Sequence, residues 1–260
     1  MKLFDSHSHI DDTCFDDDFE DVLQRAGDAG VEAIMIAGIS VETTKKAIRL
    51  AAGHDNLFTA VGIHPHDAKE CSDQTIEELK SLAKNPCVKA WGEIGLDFNR
   101  MFSPAPVQEK WLKKQMEAAD ALDLPIIFHE RDSKGRFLEI IQEFSFKKPQ
   151  GVVHCFSGSK KEMFRYLDLG YYIGITGILT IKQRGAYLRE LAVMIPEDRI
   201  VIETDAPYLT PAPQKNKTRR NEPAFVKSVM TKLAQLKERD PAPLSEKIWN
   251  NTCNLFNIQI

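Results

Sequence analysis

The sequence has few cysteines and no pattern that would pair them. The chain contains five, which are widely spaced, odd in number and without a Cys-x-x-Cys pair: Cys14, Cys71, Cys87, Cys155 and Cys253. This pattern disfavours both a disulfide-stabilised secreted domain and a zinc site built from thiolates. We therefore expect a reducing, cytoplasmic compartment.

Long apolar runs and a strong charge excess are also missing. No segment approaches the roughly 20 apolar residues that a membrane helix needs, and too few residues precede the first histidine for a secretory leader. We expect no membrane association. The formal net charge of -4 gives no global attraction to nucleic acid, so a polyanion would have to be bound by a local basic patch and by metal ions.

What the sequence does contain is a regular alternation of short β-rich runs and amphipathic helical stretches. Of its 260 residues 43% are hydrophobic, enough for one domain spanning residues 1–260 with a large core. Eight β-rich runs are predicted as strands, at residues 2–9, 32–37, 57–64, 88–96, 125–130, 151–156, 171–176 and 199–205.

This alternation predicts an α/β fold, namely a single-domain (β/α)8 TIM barrel. Continuous apolar runs such as Ile34-Met35-Ile36 suit parallel strands that are covered on both faces. A doubly wound open sheet is the alternative, but it would gather functional residues at one switch point rather than at most strand ends. Helix starts are predicted at Ser103, as the N-cap before Pro104, and at Asn221-Glu222-Pro223.

Six side chains able to bind a metal lie at or near the ends of the predicted strands: His7, His9, Glu93, His129, His154 and Asp205. In a barrel all carboxyl strand ends open onto one face, so ligands that are distant in sequence can converge there. Each residue alone has an ordinary explanation, such as a hydrogen-bonded histidine or a turn aspartate. Their joint placement predicts a metalloenzyme with its metal site at the C-terminal face of the strands.

Two acids of this set, Glu93 and Asp205, are predicted to be catalytic. Glu93 lies between Gly92 and Gly95; glycine permits close approach of backbone and ligand, and a glutamate can bridge two cations. Asp205 ends the eighth run, where it is suited to coordinate a metal and to take a proton from water.

In these segments the chain resembles the TatD family of metal-dependent deoxyribonucleases, within the amidohydrolase-like barrels. The matching segments follow the family's order along nearly the whole chain, at residues 5–9, 62–66, 92–97, 129, 151–158, 203–209 and 220–223. The resemblance implies hydrolysis of phosphodiester bonds in DNA by a 3'-to-5' exonuclease that prefers single strands.

The resemblance also implies two divalent metal ions per chain. By position, one ion would be held by His7, His9, Glu93 and Asp205, and the other by Glu93, His129 and His154. Glu93 would be the bridge, and Asp205 would also orient or deprotonate the attacking water. Magnesium is the ion associated with the family's activity, whereas imidazole-rich coordination favours zinc, manganese or nickel.

Substrate contacts are predicted at His64, Arg219 and Arg220. His64 would contact the scissile phosphate or act as a hydrogen-bond partner of a metal ligand. Arg219 and Arg220 lie in a basic stretch with Lys215 and Lys217, which would contact phosphates or form a solvated loop.

Asp5 and four aromatic residues admit two interpretations each. Asp5 would orient a ligating imidazole or serve as a structural carboxylate. A base-stacking platform would draw on Phe98, Phe102 and Tyr208, whereas Trp111, within a predicted helix, suits the core better.

Two other classes of function remain open at this stage. An amidohydrolase or esterase would attack a carbonyl on the same fold, and a degenerate barrel would only bind. Glutamate rather than lysine on the fourth run fits the nuclease branch better than a carbamylated-lysine centre. Release of nucleotides, against hydrolysis of cyclic amides, lactones or aminoacyl esters, would separate the enzymes. We expect a monomer that acts on DNA with no obligate protein partner.

Overall fold

The structure is a computed structural model that describes residues 1–148, 150–212 and 214–259. Eight parallel strands follow one another in chain order in a single sheet: β1 Leu3–Ser8, β2 Val31–Ile36, β3 Leu57–Val61, β4 Val88–Asp97, β5 Ile126–Arg131, β6 Gly151–Val153, β7 Tyr172–Ile175 and β8 Ile200–Ile202. This is the topology of a (β/α)8 barrel, so the predicted fold class is confirmed. Each predicted run overlaps one strand.

The α-helices alternate with these strands, as the apolar spacing predicts: α1 Phe19–Ala29, α2 Val41–Ala51, α3 Asp73–Leu82, α4 Ala105–Ala121, α5 Arg136–Glu143, α6 Lys160–Asp168, α7 Ala186–Met194, α8 Val226–Leu236 and α9 Pro241–Phe256. None of the helices in the described ranges is both long and apolar enough to span a bilayer.

Contacts divide the chain into two compact units, each with its own core. The terminal unit comprises residues 1–36 and 173–254, and the central unit comprises residues 37–172 and 255–260. That residues 1–260 act as one domain stays a prediction.

The terminal unit is built on two parallel strand pairs. β1 pairs with β2, with Leu3 opposite Val31, and β7 pairs with β8. The ring of Phe4 on β1 packs against Trp249 of α9 at 5.6 Å between centroids. Both rings are buried, so α9 covers the amino end of the first strand.

The central unit carries β3 to β6 with α2 to α6 around a buried aromatic core. Phe128 of β5 contacts Phe137 of α5 edge to face, with ring centroids 5.2 Å apart. Gln115 of α4 bonds both backbone groups of Ile63 and receives a hydrogen bond from the Trp91 indole. These three hydrogen bonds fix the segment after β3, because each lost bond would leave a buried polar group unpaired.

The predicted start of α4 is wrong by one position. The helix begins at Ala105 with Pro104 as its N-cap residue, and Ser103 lies before the cap. The Ser103 hydroxyl donates to the carbonyl of His66 at 2.7 Å and accepts from the backbone N–H of Lys69. The Ser103 hydroxyl therefore stabilises the 3-10 turn after β3 and does not cap α4.

Candidate metal centre

In the terminal unit, three of the predicted ligands meet at the end of β1. His7 is the next-to-last residue of β1, and His9 follows the strand directly. Their Nε2 atoms are 3.3 Å apart, and Asp205 Oδ1 lies 3.4 Å from His9 Nε2 and 3.8 Å from His7 Nε2. Ligand atoms bound about 2.0–2.1 Å from a tetrahedral ion lie about 3.3 Å from one another. The spacing and the donor types of these three groups therefore fit a divalent ion.

The position of Asp205 is set by hydrogen bonds to β1. Past the end of β8, the backbone N–H of Asp205 donates to the His7 carbonyl at 2.9 Å. Thr204 donates twice to the fully buried carboxyl of Asp5, from its N–H at 2.8 Å and its hydroxyl at 2.5 Å. Asp205 itself has φ 58°, in the left-handed region that non-glycine residues seldom adopt. Such conformations persist at functional sites because neighbouring contacts fix them.

Asp5 is thus a positioning residue for the segment that carries Asp205. Burial raises its pKa well above the ordinary value, although the hydrogen bonds from Thr204 act in the opposite direction. The sequence left open whether Asp5 orients an imidazole or is structural. In the structure its carboxyl group accepts two hydrogen bonds from Thr204.

In the central unit, Glu93 lies within β4 at a break in strand register. The pairing of β4 with β5 shifts between Trp91 and Ile94, and the Glu93 N–H donates to the carbonyl of Gly38. A Cβ on Gly92 would lie 2.6 Å from the Ile127 carbonyl oxygen, and one on Gly95 would lie 2.7 Å from the His129 carbonyl carbon. Glycine on either side of Glu93 is therefore a steric requirement of strand packing.

Three histidines surround the Glu93 carboxylate. Its Oε1 atom lies 2.5 Å from His129 Nδ1 and 3.6 Å from both His64 Nε2 and His154 Nε2. Glu93, His64 and His129 form a group of donor atoms able to hold an ion. The predicted ligands Glu93, His129 and His154 are thus brought together in this unit. His64 belongs to the same group of donor atoms, because its Nε2 lies 3.2 Å from His129 Nδ1.

Asp97 and His66 complete this group, and sequence reasoning did not assign them a role. The buried Asp97 carboxylate lies 2.8 Å from His66 Nε2 and 3.4 Å from His129 Nε2. Burial raises the pKa of Asp97, but the hydrogen bonds from His129, His66 and the Arg100 backbone outweigh it, so the pKa lies well below its usual range. The Asp97 carboxylate, 3.4 Å from His129 Nε2, helps to orient the His129 ring. The available signal was the position of Asp97 at the end of β4.

The same carboxylates act on the protonation of His129. Burial lowers its pKa, but Glu93 and Asp97 raise it more, and the net effect brings the pKa of His129 to about 9. Without a cation, the ring is held as imidazolium between two acids. A metal ion supplies the positive charge that these acids require, and it must displace that proton.

The loop after Asp205 is closed by one buried side chain. The Asn221 amide donates to the carbonyls of Thr204 at 2.8 Å and Tyr208 at 2.6 Å, and its N–H donates to the carbonyl of Pro207. Further along, the Thr210 hydroxyl donates to the Arg219 carbonyl. The two ends of the loop are therefore fixed next to Asp205.

The two predicted substrate arginines differ in their surroundings. Arg219 is exposed on the loop. The Arg220 guanidinium bonds both carboxylate oxygens of Asp18 at 2.7 and 2.8 Å and lies 3.1 Å from Glu222. It also stacks over the Phe15 ring. Arg220 thus joins the loop to the segment before α1, and phosphate contact by either arginine stays a prediction.

The four aromatic candidates separate by exposure. Trp111 is buried, as expected of a core residue, and Phe98 is half-buried, whereas Phe102 and Tyr208 are exposed by 56% and 55%. The Tyr208 ring lies 6.0 Å from that of His9, and the Phe102 ring lies 4.8 Å from that of His66. Both exposed rings therefore lie beside the histidine groups, where a base could stack on them.

The chain is similar to known proteins along nearly its whole length. The sequence profile of the family described as TatD related DNase matches residues 4–257. A protein named 3'-5' ssDNA/RNA exonuclease TatD from Citrobacter rodentium is 38% identical over 99% of each chain. Among solved structures, the TatD homolog YJJV from Escherichia coli superposes with a TM-score of 0.91 at 31% identity, covering 99% of this chain and 98% of that one. A TatD family hydrolase from Entamoeba histolytica gives 0.89 at 26% identity, with 98% of each chain covered.

Proposed function

The chain belongs to the TatD related DNase family, and from this premise we propose that it removes nucleotides from the 3' end of single-stranded nucleic acid. It is a hydrolytic nuclease that uses divalent metal. The observation that carries this conclusion is the full-length match to the 3'-5' ssDNA/RNA exonuclease of Citrobacter rodentium, together with histidine and carboxylate groups suited to a cation. The relative's name extends the expected substrates from DNA to RNA.

We propose that the six predicted residues hold two ions, with Glu93 as the bridge. The donors are imidazole nitrogens and carboxylate oxygens, which suit zinc, manganese and nickel, and which also leave positions for the water ligands that magnesium keeps. When bound, such ions supply Lewis acidity at the phosphate and at the attacking water. Magnesium is our proposal for the ion of the active enzyme.

The other catalytic roles are assigned to residues of the chain. Asp205 takes the proton of the attacking water at its carboxylate, from a backbone conformation that β1 holds in place. His64, 3.6 Å from Glu93 Oε1, contacts the scissile phosphate. Asp97 orients the ring of His129 and keeps it directed at Glu93. Preorganisation of this kind lowers the barrier because no group has to be reoriented during the reaction.

Several finer features are part of the proposal. A single-strand preference is supported by the two exposed aromatic rings, since stacking platforms bind unpaired bases. None of the five cysteines forms a disulfide in the part of the chain that the structure describes, which supports a reducing cytoplasmic compartment. We further propose that residues 1–260 work as one domain and as a monomer.

The test is digestion of 3'-labelled and 5'-labelled single strands of DNA and RNA with magnesium, manganese or zinc. The 5' label should yield a ladder of stepwise shortened products, and the 3' label should be released at once as mononucleotide. A chelator and Asp205→Asn should each abolish the reaction. Asp55→Asn, the same exchange at an exposed acid, should leave it intact. Hydrolysis of lactones or cyclic amides without nucleotide release would instead favour the carbonyl hydrolase.

A further inference from the structure

An open cavity of about 470 Å³ lies in the terminal unit, against one face of α8. We call it the α8 cavity. Its wall is formed by α8, by Thr180 from the turn after β7, and by Ala212 and Gln214 from the loop after Asp205. Its volume is within the roughly 300–1,000 Å³ of typical ligand pockets. None of its described lining residues is an assigned metal ligand or substrate contact.

The charge of the α8 cavity is positive. Lys227 and Lys232 line it, and none of the described residues that line it is acidic. Lys232 Nζ donates to the neutral amide of Gln235 at 2.9 Å. Neither ammonium group forms an ion pair with a carboxylate in the part of the chain that the structure describes. Two lysines without a counter-charge around one cavity favour a ligand with negative charge.

Gln214 adds a requirement that an anion alone does not meet. Its Nε2 donates to the Ser228 hydroxyl at 2.8 Å, which fixes the amide. Its Oε1 is buried and, within the described ranges, has no hydrogen-bond partner. A buried acceptor of this kind favours a ligand N–H or O–H, since an unpaired one is costly. A nucleotide offers both features, a phosphate for the lysines and a base N–H or sugar hydroxyl for the amide.

The α8 cavity is also connected to the residue proposed as catalytic. The Ala212 N–H donates to the Thr180 hydroxyl at 2.9 Å, and this fixes the loop at the cavity wall. Ala212 lies seven residues after Asp205, so at most about 25 Å of extended chain separates them. A single strand of a few nucleotides covers that distance, in line with sites of about 4–16 nucleotides in other single-strand binders.

We propose that the α8 cavity binds an upstream nucleotide of the same strand whose 3' end is hydrolysed. Lys227 and Lys232 contact its phosphates, and Gln214 accepts from its base or sugar. The inference rests on the proposed exonuclease function and adds to it a preference for longer strands. Strands too short to reach the cavity are held only at the catalytic end.

The test compares a trinucleotide with a decamer of thymidylate. Lys227→Ala/Lys232→Ala should raise KM about tenfold for the decamer and leave kcat and the trinucleotide KM unchanged. The salt dependence of log KM should flatten by about 1.4, because single strands contribute about 0.7 per phosphate contact. The matched control removes the same two charges outside the cavity, at the exposed Lys84 and Lys113, and should change nothing. Thr231→Glu, which places a carboxylate in the cavity, should raise the KM for the decamer in the same way.

Binding measured without turnover separates this inference from the nuclease proposal. Anisotropy of a labelled decamer in chelator should show the same tenfold loss for the lysine pair and none for the control pair. If the wild type cleaves no nucleic acid but this loss is seen, the α8 cavity is retained and the nuclease proposal is abandoned. If cleavage is normal and the lysine pair binds and cleaves the decamer as the wild type does, the α8 cavity is not a nucleotide site.

Discussion

Alanine at Gly95 should destabilise the chain strongly, because the added methyl group has no room. Gly95 is opposite His129 in the pairing of β4 with β5. Its Cβ would lie 2.7 Å from the His129 carbonyl carbon, would overlap the carbonyl oxygen and would start from φ 158°. The atoms in the way are backbone, so a change of rotamer cannot relieve the clash.

The expected cost follows from two effects. Overpacking of a tight contact costs about 1–3 kcal/mol, and a backbone conformation unsuited to an L side chain costs about 1–3 kcal/mol more. Gly95→Ala should therefore lose about 2–6 kcal/mol. For a chain of this size that is a fall in Tm of about 5–20 °C. Gly27→Ala is the matched control, because Gly27 lies within α1 with no atom within 4 Å of its Cβ position. It should gain about 0.5–1 kcal/mol.

The assay is thermal unfolding of the metal-stripped variants, followed by metal titration. Moving the strand at Gly95 also moves His129 relative to Glu93, so Gly95→Ala should bind metal more weakly at a temperature where it is still folded. A Tm for Gly95→Ala within about 1 °C of the wild type would show that the strands separate at little cost. The steric explanation for the glycines around Glu93 would then be refuted.

Three further predictions concern the substrate loop, the metal ligands and the exposed aromatics. Arg219→Ala should raise KM for single strands with Tm unchanged, whereas Arg220→Ala should lower Tm because Asp18 and Glu222 each lose one of two arginine partners and keep only Arg25; equal effects of both variants on KM alone would contradict the assignment. Since the pKa of His129 is raised from 6.5 to about 9, its stabilisation of the metal-free chain is complete below pH 6.5 and lost as the pH rises through 9. Metal affinity, measured against a chromogenic chelator, should accordingly rise about tenfold per pH unit from 7 to 9 as one proton is displaced, and a flat profile would argue against His129 as a ligand. Tyr208→Ala should weaken single-strand binding by about 1–3 kcal/mol, measured by anisotropy, and Tyr208→Phe should leave it unchanged. Weaker binding by the phenylalanine variant would point to the hydroxyl instead.

The strands were predictable because each is an apolar run with polar residues at its end. The residues at which the strands end were harder to predict. The eighth run was predicted to continue to residue 205, yet β8 ends at Ile202. Beyond it the backbone turns to bond Asp5 and His7 of β1. Those partners lie almost 200 positions away, and no local pattern contains them.

The same distinction holds within the site. His129 and Glu93 were recognisable as polar residues in apolar surroundings, and the structure groups them with His154 and His64. That Asp97 bonds His66, and that Arg220 bonds Asp18, depends on pairs 31 and 202 positions apart. Charge type alone predicted a phosphate contact for Arg220, and that contact stays a prediction. Only the fold shows that its guanidinium also bonds Asp18 and Glu222.

The hydrogen bonds of Asn221 make the loop between Pro207 and Asn221 a segment that can be exchanged as a unit. Both of its ends are fixed by one buried amide, so changes between Thr210 and Arg219 need not reach Asp205. Doubling the length of such a segment costs only about 0.6 kcal/mol of closure entropy. Relatives could therefore diverge here in length and charge while the hydrolytic centre stays constant. Transplanting this segment between relatives would accordingly exchange Ala212 and Gln214, which line the α8 cavity, without displacing Asp205.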